Sequence, residues 1–135
     1  MIHFIVLKGR GNSGKTETIS LVYQQLKSKY PSLKENVLIQ NTIDIKVILA
    51  INDQKIGIES QGDPLSRLKQ SLSDFVTAGC NIIICATRTY GMTVDWFNNY
   101  STGNQTDFIQ QNYTNTNQSI SNNKTASDII LMAGL

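Results

Sequence analysis

A glycine-rich octapeptide near the start of the sequence, Gly9–Thr16, carries residue types that bind phosphate. Glycines let the backbone curl so that successive N–H groups point inward at an anion. The octapeptide follows a short apolar run, Ile2–Leu7, and precedes an amphipathic pattern from Ile19 to Tyr30 that is typical of a helix. We therefore expect an anion site where a buried strand gives way to a helix. The octapeptide reads Gly9-Arg10-Gly11-Asn12-Ser13-Gly14-Lys15-Thr16, which fits G-x-x-x-x-G-K-[ST] at every fixed position.

In this context the octapeptide resembles the Walker A loop of P-loop NTPases, over about Ile2 to Tyr30. The resemblance implies that all eight residues bind a nucleoside triphosphate. It also implies that Lys15 reaches the β- and γ-phosphates and that the Thr16 hydroxyl ligates the Mg²⁺ that the triphosphate brings. The expected fold is a three-layer α/β P-loop domain with a mostly parallel sheet and an antiparallel hairpin. ATP is the default nucleotide, and GTP is not excluded, although no N-K-x-D element for guanine is present.

P-loop proteins also need an acidic residue at the end of an apolar strand, and Glu59 is the first candidate. Gln54–Glu59 reads as the second strand of a hairpin that turns near Asn52. The segment Glu59–Gly62 resembles the D-x-x-G element of P-loop GTPases, with Glu in place of Asp. This likeness implies that Glu59 helps to hold the metal or activates a nucleophile. A solvated carboxylate at the end of a strand is the alternative.

Asp63 and Arg88 are the other candidates for chemistry. Asp63 precedes Pro64 and is predicted to cap the start of a helix. If that helix starts at the carboxyl edge of the sheet, Asp63 lies close to the phosphates. Arg88 follows the apolar run Ile82–Thr87 at the same edge, where ligands bind in open α/β sheets. It is predicted to neutralise charge on a transferring phosphoryl group, with a plain surface arginine as the alternative.

The hairpin adds two polar residues to this edge. Because Ile43–Ile51 is predicted to pair antiparallel with the strand that ends at Glu59, Thr42 and Asp44 either face the ligand or are solvated. Tyr90 or Trp96 is a candidate for stacking on a base, although an aromatic residue on a short helix is more often part of the core.

Composition limits the remaining possibilities. The 135 residues are predicted to form one domain, and a net charge of +2 with 16% charged residues gives no basic field for nucleic acid. No apolar run approaches the length of a membrane span, and the first residues, Met1–Phe4, lack the basic region and the small-residue cleavage site of a signal peptide, so a cytoplasmic protein is expected. Cys80 and Cys85 are predicted to be small buried residues on opposite faces of one extended segment.

The last third of the sequence is dominated by Asn, Gln, Ser and Thr. Asn98–Asn123 is predicted to be a polar, loop-rich flank without chemistry, with at most a short strand at Phe108-Ile109 or near Tyr113. A terminal helix is predicted over Ala126–Leu135.

Two functions are consistent with these features. The first is a small ATP-dependent phosphotransferase or NTPase whose small-molecule acceptor binds near Asp44, Asp63 and Arg88. The second is a nucleotide-dependent switch module with little turnover. The sequence does not specify an oligomeric state.

Overall fold

The computed structural model describes residues 1–11, 13–40, 44–63, 66–89, 91–100 and 102–135, with Met92 described by its backbone alone. Within these residues, six strands form one mixed sheet and four helices accompany it. Their order along the chain is β1 His3–Lys8, α1 Lys15–Lys29, β2 Lys34–Gln40, β3 Ile45–Ile51, β4 Gln54–Glu59, α2 Leu68–Thr77, β5 Ile82–Thr87, α3 Met92–Asn98, β6 Gln105–Gln110 and α4 Gln118–Met132.

The strand order across the sheet is β2-β3-β4-β5-β1-β6. Strands β4, β5, β1 and β6 are parallel neighbours, whereas β3 pairs antiparallel with both β2 and β4. The α/β class and the antiparallel hairpin are therefore confirmed. Because β1 lies between β5 and β6, the segment after β1 is flanked by the carboxyl ends of two parallel strands.

Alternating side chains of the strands fill two hydrophobic clusters. Ile5 and Leu7 pack with α1 and α4, whereas Phe4 and Val6 pack with α2 and α3. This period-two alternation is what a sheet covered on both faces requires. The apolar run at the start of the chain is thus a central strand buried on both sides.

The hairpin prediction is accurate where the structure describes it. The second strand occupies Gln54–Glu59 as expected, and Lys46 pairs with Glu59, so the start of β3 lies beside the end of β4. Asn52 adopts a positive φ of 54° at the turn, a conformation that asparagine tolerates. Thr42 and Ile43 lie outside the described residues.

The predicted start of the second helix is wrong. Helix α2 begins at Leu68 with Arg67 at its N-cap, not directly after Asp63, and Pro64-Leu65 lies outside the described residues. The reason is that Arg67 turns its side chain toward Glu59, while Asp63 bonds to Arg88 instead of capping the helix. The helix ends before Gly79, which has φ 82° and donates its N–H to Val76 O.

The short helix after β5, α3, begins one residue before Thr93, so Thr93 does not cap it. Gly91 is the N-cap of α3, and Thr93 lies inside the helix. The Thr93 hydroxyl accepts the backbone N–H of Arg88 instead, at 3.1 Å. It therefore fixes the backbone where β5 ends.

Both cysteines are free and buried, as expected, but the predicted geometry is wrong. Cys80 precedes β5 and packs in the same cluster as Cys85. Burial raises the pKa of the Cys80 thiol to about 11 and raises that of Cys85 as well. Neither thiol is therefore poised as a thiolate nucleophile.

The polar flank is more ordered than its composition suggests. Strand β6 pairs in parallel with β1, and α4 begins at Gln118, eight residues before the predicted start at Ala126. No helix in the described parts of the chain combines the length and the apolar character that a membrane span requires.

Candidate functional site

The loop between β1 and α1 is attached to the carboxyl end of β5. The backbone N–H of Gly9 donates to Thr87 O at 3.1 Å, and Ser13 Oγ donates to Arg10 O at 2.7 Å. Gly14 has φ 91°, a conformation that favours glycine, and helix α1 starts at the next residue. The first N–H groups of α1 are thereby directed at the space beside the loop. Asn12 lies outside the described residues.

Lys15 folds back onto the loop that precedes it. Its Nζ donates to Gly9 O at 2.6 Å and to Arg10 O at 2.7 Å, and the side chain is almost fully buried. Burial lowers the pKa of Lys15 below its ordinary value, while nearby Asp63 raises it and nearby Arg88 lowers it. The ammonium group is thus partly desolvated, with acceptors that are only neutral carbonyls. An incoming anion would interact strongly with it.

A cavity of about 670 Å³ opens beside this lysine. It lies at the carboxyl edge of the sheet, within the size range of small-molecule sites. Its walls come from the glycine-rich loop, the start of β3 and the segment after β4. The lining residues are Gly11, Ser13, Gly14, Lys15, Thr16, Asp44, Ser60, Gln61, Gly62, Asp63 and Ser66.

Asp44 is held at the cavity by the segment that follows β4. Ser60 Oγ donates to Asp44 Oδ1 at 3.2 Å, and Gln61 Nε2 donates to Asp44 Oδ2 at 2.9 Å. Ser60 is itself fixed, because its backbone N–H and its hydroxyl both bond to the backbone of Ile45. Asp44 therefore lines the cavity and is held there by these two bonds.

Gly62 explains why this segment lies so close to β5. A Cβ at position 62 would sit 2.5 Å from Ala86 O and 2.9 Å from Thr87 N. Because backbone atoms cannot yield as a flexible side chain can, only glycine fits this crossing. The close approach brings Asp63 toward the end of β5.

Arg88 lies beside the glycine-rich loop, at the end of β5. Its Nε donates to Asp63 Oδ1 at 2.8 Å, and its guanidinium covers Gly11, where a Cβ would come within 2.8 Å of it. Both side chains retain solvent access, with 41% of Arg88 and 60% of Asp63 exposed. The pair is therefore accessible to a ligand at the rim of the cavity.

Glu59 does not line the cavity, which corrects the expectation that it is the catalytic and metal-holding acid. Its carboxylate is fully buried and forms a two-pronged ion pair with Arg67, at 2.7 and 2.9 Å. Ser71 Oγ donates to the same carboxylate at 2.6 Å, and the backbone N–H of Gln61 donates to it at 3.1 Å. All of its neighbours are internal, so we assign Glu59 to holding α2 against the end of β4.

Two polar residues that the sequence analysis did not single out support the glycine-rich loop. Gln111 follows β6 and is buried. Its amide nitrogen donates to Ser13 O and to Asn122 Oδ1, both at 2.8 Å. Its amide oxygen accepts a hydrogen bond from the Thr18 hydroxyl. Asn122, on α4, donates in turn to Glu17 at 2.7 Å. The signal that could have found Gln111 is strand β6. A prediction that this strand ends at Gln110 and pairs with β1 would have placed Gln111 at the carboxyl edge of the sheet.

Of the two aromatic candidates for base stacking, Trp96 does not line the cavity. Trp96 packs against the hydrophobic cluster that lies between the sheet and helices α2 and α3. This is the core position that the sequence analysis gave as the alternative to base stacking. Tyr90 lies outside the described residues.

Comparisons with family models, curated proteins and solved structures found no match to this chain.

Proposed function

We propose that this protein is a P-loop domain that binds a Mg²⁺-nucleoside triphosphate, ATP or GTP, and transfers or releases its terminal phosphoryl group. The observation that carries the proposal is the position of Lys15. Its partly desolvated ammonium donates to the carbonyls of Gly9 and Arg10, and Lys15 lines the same cavity as Asp44 and Asp63. The six-stranded sheet with helices packed on both faces supports the three-layer P-loop fold.

The chain's own residues divide the work of binding and transfer. The start of α1 and Lys15 would bind the phosphates, since backbone N–H groups and a buried cation both favour anions. Arg88 would leave Asp63 and neutralise charge that develops during transfer. An acceptor hydroxyl or a water would lie toward Asp44, whose orientation Ser60 and Gln61 maintain.

The donor set also fits a magnesium ion. Mg²⁺ prefers hard oxygen ligands and commonly uses one or two carboxylates together with substrate phosphates. Thr16, Asp44 and Asp63 all line the cavity and carry oxygens of this kind, whereas Glu59 is fully buried outside it. When bound, the metal would supply charge neutralisation on the phosphates.

One feature favours a nucleotide-dependent switch as the second candidate. The Asp63–Arg88 pair joins the segment after β4 to the end of β5 beside the glycine-rich loop. A phosphate that attracts Arg88 would separate the two segments. In that case binding would change the surface with little turnover.

Calorimetry with Mg²⁺-ATP and Mg²⁺-GTP tests the proposal. Lys15→Ala should weaken binding by at least about tenfold, because charge-assisted bonds contribute roughly 1.5–3 kcal/mol each. Lys27→Ala, which removes an exposed charge near the other end of α1, is the matched control and should bind as the wild type does. Equal affinity of Lys15→Ala and wild type would refute the proposal. Phosphate release, with and without added alcohols and nucleosides as acceptors, then separates an enzyme from a switch.

A further inference from the structure

An arginine of the glycine-rich loop stacks on an exposed tyrosine. The guanidinium carbon of Arg10 lies 4.4 Å from the ring centroid of Tyr113, well within the range of a cation–π contact. Arg10 is exposed, and 53% of Tyr113 remains exposed despite the contact. The pair therefore presents flat, polarisable surface to solvent directly beside the loop.

The segment that carries Tyr113 is held on both sides. Gln111 is fixed to Ser13 and Asn122, as described above. Gln118, at the start of α4, donates to Asn112 O and accepts the backbone N–H of Thr114, both at 2.8 Å. A ligand that uses Tyr113 would therefore find it already positioned, which reduces the entropic cost of binding.

Tyr113 and the acidic residues lie on opposite flanks of the loop. Asp44 precedes β3 and Asp63 approaches β5, so both lie on the β5 side of β1. Tyr113 follows β6, which borders β1 on its other side. A nucleotide with its phosphates beside Lys15 would direct its nucleoside toward one of these flanks. Of the two flanks, the described residues place an exposed aromatic ring on the β6 side.

We propose that Tyr113 and Arg10 form the platform on which the base of a purine nucleotide stacks. This inference rests on the proposed function, because it needs the phosphates at Lys15. Stacking uses the face of the base and not its edge, so the platform would favour a large flat base without distinguishing adenine from guanine. ATP and GTP should then bind with similar affinity, and both should bind more tightly than inorganic tripolyphosphate.

A comparison of Mg²⁺-ATP with Mg²⁺-tripolyphosphate tests the platform. Tyr113→Leu keeps apolar bulk but removes the flat ring, and it should weaken ATP binding about tenfold while tripolyphosphate binding stays unchanged. Arg10→Met should likewise reduce the preference of the protein for Mg²⁺-ATP over Mg²⁺-tripolyphosphate. Tyr30→Leu is the matched control, because the Tyr30 ring also makes a cation–π contact, with Lys29, but lies at the far end of α1. Thermal melts establish that each variant is folded.

The possible outcomes separate the inference from the proposed function. Selective loss of ATP affinity in Tyr113→Leu supports the platform. If both ligands bind the wild type through Lys15 but Tyr113→Leu changes neither, or changes both equally, the platform is refuted and the phosphate site stands. Wild-type protein that binds neither ligand would refute both.

Discussion

Arg88 Nε donates to Asp63 Oδ1 at 2.8 Å, although Asp63 lies in the segment after β4 and Arg88 follows β5. The same guanidinium covers Gly11 in the glycine-rich loop. Exposed ion pairs of this kind contribute only about 0–1 kcal/mol to stability. The pair is therefore weak enough to exchange partners when an anion of higher charge approaches.

We expect Arg88→Ala to lower kcat by about 10²-fold, the usual cost of removing a donor that stabilises transition-state charge. Nucleotide affinity should stay within about threefold, since such a group acts mainly after binding. Arg88→Lys should recover part of the rate, because a point charge cannot reproduce the planar fork of a guanidinium. Phosphate-release kinetics and calorimetric Kd values measure the two effects. A kcat equal to that of the wild type in Arg88→Ala would contradict this role.

Glu59→Gln should destabilise the fold and leave nucleotide affinity nearly intact. Removing the charge of the fully buried partner should cost up to about 3 kcal/mol, because the half-buried Arg67 guanidinium and the Ser71 hydroxyl lose a charged acceptor. Urea unfolding measures the loss, and calorimetry on the folded variant measures affinity. Asp128→Asn breaks the exposed pair with Lys124 and is the control, with an expected change below about 0.5 kcal/mol. A stable Glu59→Gln with strongly reduced turnover would restore Glu59 as a catalytic acid.

The difference between Glu59 and Asp63 illustrates what sequence patterns can predict here. The hairpin and the positions of strand ends follow from hydrophobic alternation, so Asp44, Asp63 and Arg88 could all be predicted at one edge. Which acid faces the cavity depends on Arg67 and Ser71, which lie eight and twelve residues beyond Glu59. Their contacts depend on where α2 begins, and Asp63-Pro64 indicates too early a start.

The polar segment shows a second limit. Strand β6 has a single well-buried neighbour strand, and its side chains are mostly exposed or half-buried, so it lacks a strong apolar pattern. Helix α4 begins with Gln, Ser and Asn, whose composition is typical of loops. Its polar residues are used instead to bind the glycine-rich loop and α1, as Asn122 does through Gln111 and Glu17.

Tyr23 makes stability depend on pH in the alkaline range. Burial and the hydrogen bond from its hydroxyl to Glu35, at 2.6 Å, raise its pKa from 10.0 to about 12. Between these values the unfolded chain loses the phenolic proton and the folded protein keeps it. Stability is therefore fully present below pH 10 and falls as pH rises toward 12, by up to about 2–3 kcal/mol.

Tyr23→Phe should flatten this alkaline dependence, although it also loses the bond to Glu35. Urea unfolding at pH 8, 10 and 11 gives the slope for each variant. Tyr113→Phe, at an exposed position, is the control and should retain the wild-type slope. An identical slope in Tyr23→Phe would show that another group governs alkaline stability.

Gln111→Leu should weaken both the fold and the phosphate site, because one side chain serves both. Leucine has a similar volume but removes the donor to Ser13 O, at a cost of about 1–3 kcal/mol, whereas Asn122 Oδ1 keeps its bond from Gln118 and the Thr18 hydroxyl keeps its bond to Gly14 O.

The same substitution frees Ser13 from its anchor, so the loop must be ordered when the ligand binds. We therefore expect a reduction in Mg²⁺-nucleotide affinity of about tenfold at a temperature where the variant is still folded. Gln110→Leu changes the adjacent exposed residue and is the matched control, with little effect on either quantity. If Gln111→Leu lowers the unfolding free energy but binds nucleotide as tightly as the wild type, Gln111 supports the sheet and α4 without organising the loop.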